Sequence, residues 1–178
     1  VLMTAAQAFL NGELRRSESL LATLRALNRY LDGRSMPGEF LTLWIGLYDA
    51  EARTLEYIDA GHGFAAHAPI SGEPRLLQEG GGPPLGISPT HDWAPVTLAL
   101  APGDQVFLFS DGLAEQRDAR GEFFGLERAM ESLRAARTPE ERIQELTELV
   151  LAHAGGGALA DDLTLACVEA LAGQPPTG

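Results

Sequence analysis

The run Gly103-Asp104-Gln105-Val106-Phe107-Leu108-Phe109-Ser110-Asp111-Gly112 decides the fold. Its unbroken stretch of large apolar residues, bounded by turn formers, reads as a strand buried on both faces, so its last residues emerge at a sheet edge. Asp111 is therefore expected at the mouth of a core. A second run, Leu163-Thr164-Leu165-Ala166-Cys167-Val168, is opened by Ala160-Asp161-Asp162. One acid follows the first strand and two precede the second. If the two strands are antiparallel neighbours, the end of one lies beside the start of the other. Asp111 and either Asp161 or Asp162 then come within reach of a common cation. Adjacent carboxylates without a basic neighbour favour that reading, because a cation relieves their repulsion. The plainer alternative is a solvated cap on each strand, and aspartate-glycine by itself is an ordinary turn dipeptide.

The chain's 178 residues suit one domain with a sizeable core. No linker divides it, so one domain is expected over residues 1–170, with 171–178 as a disordered tail. Thirteen basic against 25 acidic residues give a net charge of -12. That field repels phosphate backbones and anionic membranes and attracts divalent cations. Nucleic acid is excluded as an expected partner. The single cysteine, Cys167, forms no internal disulfide, and no apolar run is long enough to cross a bilayer. A soluble, cytoplasmic protein is expected. Val1 is no initiator and starts in mid-helix without a cap, so the sequence reads as a fragment.

Helical spacing of Leu2, Ala5, Ala6 and Phe9 predicts a first helix that Asn11-Gly12 ends. Ser17 caps a second, with Leu20, Leu21, Leu24, Leu27 and Leu31 as one stripe and Gly33 at its close. Core packing is the favoured role for that stripe, and a homodimer contact over residues 17–32 is the alternative. Residues 40–48 read as a buried strand, followed by strands at 54–58, 64–69, 74–78 and 96–100. Gly80-Gly81-Gly82-Pro83-Pro84-Leu85-Gly86 lacks the lysine of a phosphate-cradling loop and reads as a plain surface connection. A short helix begins at Gly125-Leu126 with Met130 and Leu133. Thr138-Pro139-Glu140-Glu141 has the form of a capping box before a helix whose Ile143, Leu146 and Val150 face the core. Gly155-Gly156-Gly157 ends that helix. Strands in runs with helices before and after them give an α+β class.

Taken together, Phe40-Leu41-Thr42-Leu43-Trp44-Ile45-Gly46, Asp59-Ala60-Gly61-His62, Pro84-Leu85-Gly86, Leu108-Phe109-Ser110-Asp111-Gly112 and Asp161-Asp162-Leu163-Thr164 resemble the SpoIIE-type branch of the metal-dependent serine/threonine phosphatases (PPM, protein phosphatase 2C-like). The resemblance runs from about residue 1 to 169 and implies two packed antiparallel sheets flanked by helices. It implies that Asp111 and Asp161 ligate the second metal of a binuclear centre and that Gly112 is the adjacent turn. Asp162 matches a neighbouring position with a smaller share in binding. His62 falls on the family's alanine-glycine-histidine motif, where it meets a phosphate oxygen or the leaving group; a turn histidine between two glycines is the alternative. His67, His91 and His153 are expected to be surface or packing residues.

Oxygen ligands without histidine or cysteine at metal spacing favour Mg²⁺ or Mn²⁺. Two such ions suit phosphomonoester hydrolysis. The branch's usual substrate, a phosphorylated anti-sigma-factor antagonist in a partner-switching pathway, is the partner the resemblance implies. The family's metal-bridging aspartate belongs to an Asp-x-x-Gly-His-Gly-like segment preceding the helix that here starts at Val1. Without that segment the fragment is expected to be inactive or weakly active. The competing expectations are a non-catalytic module of the same fold that docks a regulatory protein, and a domain whose acids only terminate strands.

Overall fold

A computed structural model of the chain describes residues 2–14, 19–32, 36 and 38–172. In chain order the elements are α1 (Leu2–Glu13), α2 (Leu20–Asp32), β1 (Leu43–Asp49), β2 (Thr54–Ala60), β3 (Ala65–Ala68), β4 (Arg75–Leu76), β5 (Val96–Ala99), β6 (Gln105–Phe109), α3 (Asp111–Ala114), α4 (Leu126–Ser132), α5 (Pro139–His153) and β7 (Leu165–Glu169). They form two antiparallel sheets with helices, the α+β class that the order of elements predicts. The chain divides into two compact units, residues 1–63 with 78–99 and residues 64–77 with 100–178.

The first unit holds the three-stranded sheet β1-β2-β5 and helices α1 and α2. α2 starts where Ser19 Oγ accepts the Ala22 N–H at 3.3 Å. The expected caps Ser17 and Gly33 lie outside the described residues, as does the tail at 173–178. Leu20, Leu24, Leu27 and Leu31 are buried with Ile58, Ala60, Leu85 and Trp93. The leucine stripe is therefore core, which leaves that face unavailable for a dimer contact. Asn11-Gly12 does not end α1. Gly12 takes no positive φ, and the Leu14 N–H still bonds the Leu10 carbonyl at 2.9 Å. Glycine weakens a helix by roughly 1 kcal/mol without forcing a stop. Residues 40–48 are not a buried strand: β1 starts at Leu43 and is a sheet edge among the described residues, with Phe40 and Leu47 54% and 55% exposed.

The second unit holds the four-stranded sheet β4-β3-β6-β7. β6 is internal, paired with β3 (Ala65↔Leu108) and with β7 (Phe109↔Leu165), as its continuous apolar run requires. Phe107, Phe109, Leu113, Phe124, Leu133, Leu146 and Val150 make the core. α5 carries the capping box in full: Thr138 Oγ1 accepts the Glu141 N–H, and the Glu141 carboxylate accepts the Thr138 N–H. His67 packs inside this unit, 3.1 Å from Asp104 Oδ2. The turn expected at Asp111-Gly112 is instead the start of the one-turn helix α3, with Ser110 at its N-cap.

Candidate metal centre

The register of β6 and β7 carries the chain's two acidic corners to one end of the sheet. Beyond the last paired residues, Phe109 and Leu165, the Ser110 N–H donates to the Thr164 carbonyl at 3.0 Å. Ser110 Oγ then closes the corner from both sides: it donates to the Asp162 carbonyl at 2.9 Å and accepts the Thr164 N–H at 3.0 Å. Gly112 is buried so tightly against this segment that a Cβ there would lie 2.5 Å from the Asp162 carbonyl oxygen. No side chain fits that gap, which explains glycine at this position more directly than turn geometry does. The Asp111-Gly112 and Asp161-Asp162 backbones are therefore in contact, as the antiparallel expectation required.

Both aspartates of interest are exposed, and each accepts a hydrogen bond from the residue that follows it. Asp111 Oδ1 takes the Gly112 N–H at 2.9 Å, and Asp161 Oδ1 takes the Asp162 N–H at 2.7 Å. No arginine, lysine or histidine forms an ion pair with Asp111, Asp161 or Asp162 among the described residues. Asp161 lines a cavity of about 220 Å³ with Gly112, Glu115, Gln116, Arg117 and Phe123. Gln116 braces its wall, with Oε1 accepting the Ala160 N–H at 2.9 Å and Nε2 donating to the Arg117 carbonyl. The Arg117 guanidinium sits 3.9 Å over the Phe123 ring and donates to the Gly121 carbonyl. The parts played by Ser110 and Gln116 are not legible in the sequence, because their bonds reach residues 44 to 54 positions away.

Unpaired, solvent-facing carboxylate oxygens suit a hydrated Mg²⁺ or Mn²⁺ ion, which keeps several waters and needs few protein ligands. Among the described residues no group of three or more His, Cys, Asp or Glu side chains stands ready to hold a metal. The donors fit in kind, and waters or further oxygens have to complete the coordination.

His62 belongs to the first unit, at a turn built by a different carboxylate. Asp59, 3% exposed at the end of β2, accepts the His62 N–H at 2.7 Å on Oδ1 and the Gly63 N–H at 2.9 Å on Oδ2. Gly61 and Gly63 both take positive φ, and a Cβ on Gly61 would meet the Pro84 ring at 2.7 Å. Gly80 to Gly86 is thus no plain surface connection. The Gly82 N–H bonds the Asp59 carbonyl, Leu85 is buried, and the Asn28 side chain accepts the Gly86 N–H and donates to the Ser88 carbonyl. His91 stacks edge-on against Trp93, and His153 Nε2 lies 2.9 Å from the Glu122 carbonyl.

The fold is that of the protein phosphatase 2C-like domains. The SiaA-PP2C domain of Pseudomonas aeruginosa superposes with a TM-score of 0.78 at 20% identity, over 94% of this chain and 68% of that one. The profile of the Stage II sporulation protein E (SpoIIE) family matches residues 1–171, and the chain belongs to that family. Protein IcfG of Synechocystis is 28% identical over 160 residues, which is 89% of this chain and 25% of IcfG. Phosphoserine phosphatase RsbU of Bacillus subtilis is 30% identical over 98 residues, 55% of this chain and 29% of RsbU. The chain therefore spans between a quarter and a third of the length of these curated relatives.

Proposed function

We propose that the chain is the catalytic part of a metal-dependent phosphatase acting on phosphoserine or phosphothreonine in a protein. The observation that carries this is the clamped corner at Ser110, which joins the Asp111-Gly112 and Asp161-Asp162 backbones and leaves both carboxylates free of basic partners. In this reading residues 1–170 act as one domain, in keeping with a family profile that runs over residues 1–171. Asp111 and Asp161 hold the metal, the missing Cβ of Gly112 keeps the two segments in contact, and Asp162 orients Asp161 through its backbone N–H. His62 enters on the family motif alone, as a contact for a phosphate oxygen or the leaving group. A bound pair of Mg²⁺ or Mn²⁺ ions supplies water activation and neutralises charge on the phosphate. No helix among the described residues is long and apolar enough to cross a membrane. A cytoplasmic location, a phosphorylated anti-sigma-factor antagonist as substrate, and a homodimer that uses surfaces other than the α2 stripe are parts of the same proposal. RsbU, by its name a phosphoserine phosphatase, supports the substrate class.

The test uses the full-length protein with p-nitrophenyl phosphate and with a phosphoserine protein. Hydrolysis is expected to require Mn²⁺ or Mg²⁺ and to fall by about two orders of magnitude or more in Asp111→Asn and in Asp161→Asn. Activity in EDTA, or full activity in either variant, contradicts the metal role. Absence of turnover on both substrates together with tight binding of the phosphoprotein favours the docking module instead.

A further inference from the structure

The far end of the same sheet carries a cluster of arginines. A cavity of about 300 Å³ opens in the second unit between the turn after β3, the start of β6 and the residues joining α4 to α5. Gly72, Gly103, Arg134, Arg137, Arg142 and Glu169 line it. Three of the chain's 13 basic residues thus converge on one cavity of a protein with a net charge of -12. It lies at the Gln105 end of β6, and the Asp111 corner lies beyond the Phe109 end, roughly 14 Å away along the strand at about 3.4 Å per residue.

Arg142 is the unusual member. Its side chain belongs to a residue only 4% exposed, yet no carboxylate lies within ion-pair distance of it among the described residues. Nε donates to Gln105 Oε1 at 2.5 Å and Nη1 to the Leu133 carbonyl at 2.8 Å; both acceptors are neutral. Nη2 donates to nothing within the described residues. The nearby Cys167 thiol offers no counter-charge, because burial pushes its pKa up to about 11 and keeps it protonated. Gln105 is fully committed, its Nε2 donating to the Arg137 carbonyl and to Glu169 Oε2, so the only lining carboxylate is already held. Arg134 and Arg137 meet their carboxylates, Glu73, Glu131 and Glu145, on residues that do not line the cavity. A guanidinium with little access to solvent and no counter-ion within ion-pair distance is destabilising. An oxyanion accepting from Nη2 offsets that cost, since guanidinium matches phosphate in charge and in hydrogen-bond geometry.

We infer that this cavity is a second ligand site, distinct from the metal centre, that takes the phosphate group of a small molecule, with Arg142 as its anchor and Arg134 and Arg137 at its rim. The cavity exceeds a bare phosphate ion, so the natural ligand carries an organic part against Gly72 and Gly103.

Inorganic phosphate is the probe, titrated into the full-length protein in EDTA so that no metal-bound phosphate contributes. Calorimetry is expected to give one saturable site, and amide shifts in NMR are expected at Gly72 and Gly103 and not at Gly112. Arg142→Gln is expected to weaken binding by about tenfold or more. Because Arg142 is buried, Arg134→Gln, at an exposed position, provides the second variant, with an expected loss of about threefold. No saturable binding, shifts centred on Gly112, or a response reproduced by chloride at equal ionic strength overturns the inference. So does undiminished affinity in Arg134→Gln together with undiminished affinity in any folded Arg142→Gln. The outcome is independent of whether the metal centre hydrolyses phosphate.

Discussion

Two aspartate corners, one in each unit, put the same side chain to opposite ends. At the end of β2, Asp59 turns inward, is 3% exposed, and uses both oxygens on the His62 and Gly63 N–H groups. At the end of β6, Asp111 faces solvent with one oxygen on its own neighbour's N–H, and Asp161 does the same across the corner. The first carboxylate is consumed in shaping a loop. The second pair has oxygens to spare, held in place by a serine that does the structural work for them. A carboxylate becomes available for a ligand when another group takes over the backbone donors around it.

That contrast is broken or sharpened most strongly at Asp59. Asp59→Ala leaves two backbone donors without an acceptor in a near-buried turn and is expected to cost about 3 kcal/mol in urea unfolding. A loss below about 1 kcal/mol would mean that water replaces the carboxylate there and that the turn is not built by it. Next is Gly112→Ala, whose Cβ meets the Asp162 carbonyl oxygen at 2.5 Å. A backbone shift is unavoidable, with an expected cost of about 2 kcal/mol and a parallel loss of Mn²⁺ affinity. A smaller effect comes from acid. Burial raises the pKa of Asp104, but the Ile70 and Ala101 N–H groups and His67 outweigh it and hold the carboxyl below its ordinary 3.8. The stability it contributes is complete above the ordinary value and is lost as pH falls through the lower, folded one. The urea midpoint is therefore expected to fall below about pH 4, and a midpoint unchanged from pH 5 to 2.5 contradicts this. The smallest effect is expected at the exposed corner, where Asp111→Asn and Asp161→Asn change stability by less than about 0.5 kcal/mol.

What the sequence made legible was local or periodic. The β6 and β7 runs, the leucine stripe of α2 and the Thr138 capping box are each read from residues within a few positions of one another, and each is found where expected. The contact between the two acidic corners followed from the antiparallel pairing of two such runs. What escaped depended on partners far along the chain. The Ser110 clamp spans 52 residues, and the Asn28 bonds that fasten the Gly80 to Gly86 segment span 58 and 60. That segment looked like surface because glycine and proline are turn formers usually found in exposed connections. Gly80 and Gly82 are there because Ala94 and Val96 press against the first, and His91 and Trp93 against the second, too closely for a Cβ. β1 looked buried because its composition is that of an internal strand; which strand becomes an edge is decided by pairing, not by composition.

The most direct measurement is a calorimetric Mn²⁺ titration of the full-length protein, of Asp111→Asn and of Asp161→Asn, with the melting temperature of each recorded. If the exposed corner is a ligand site and not a strand cap, both variants melt with the parent while their Mn²⁺ affinity falls by at least about tenfold. Parent-like Mn²⁺ binding in both variants would contradict it.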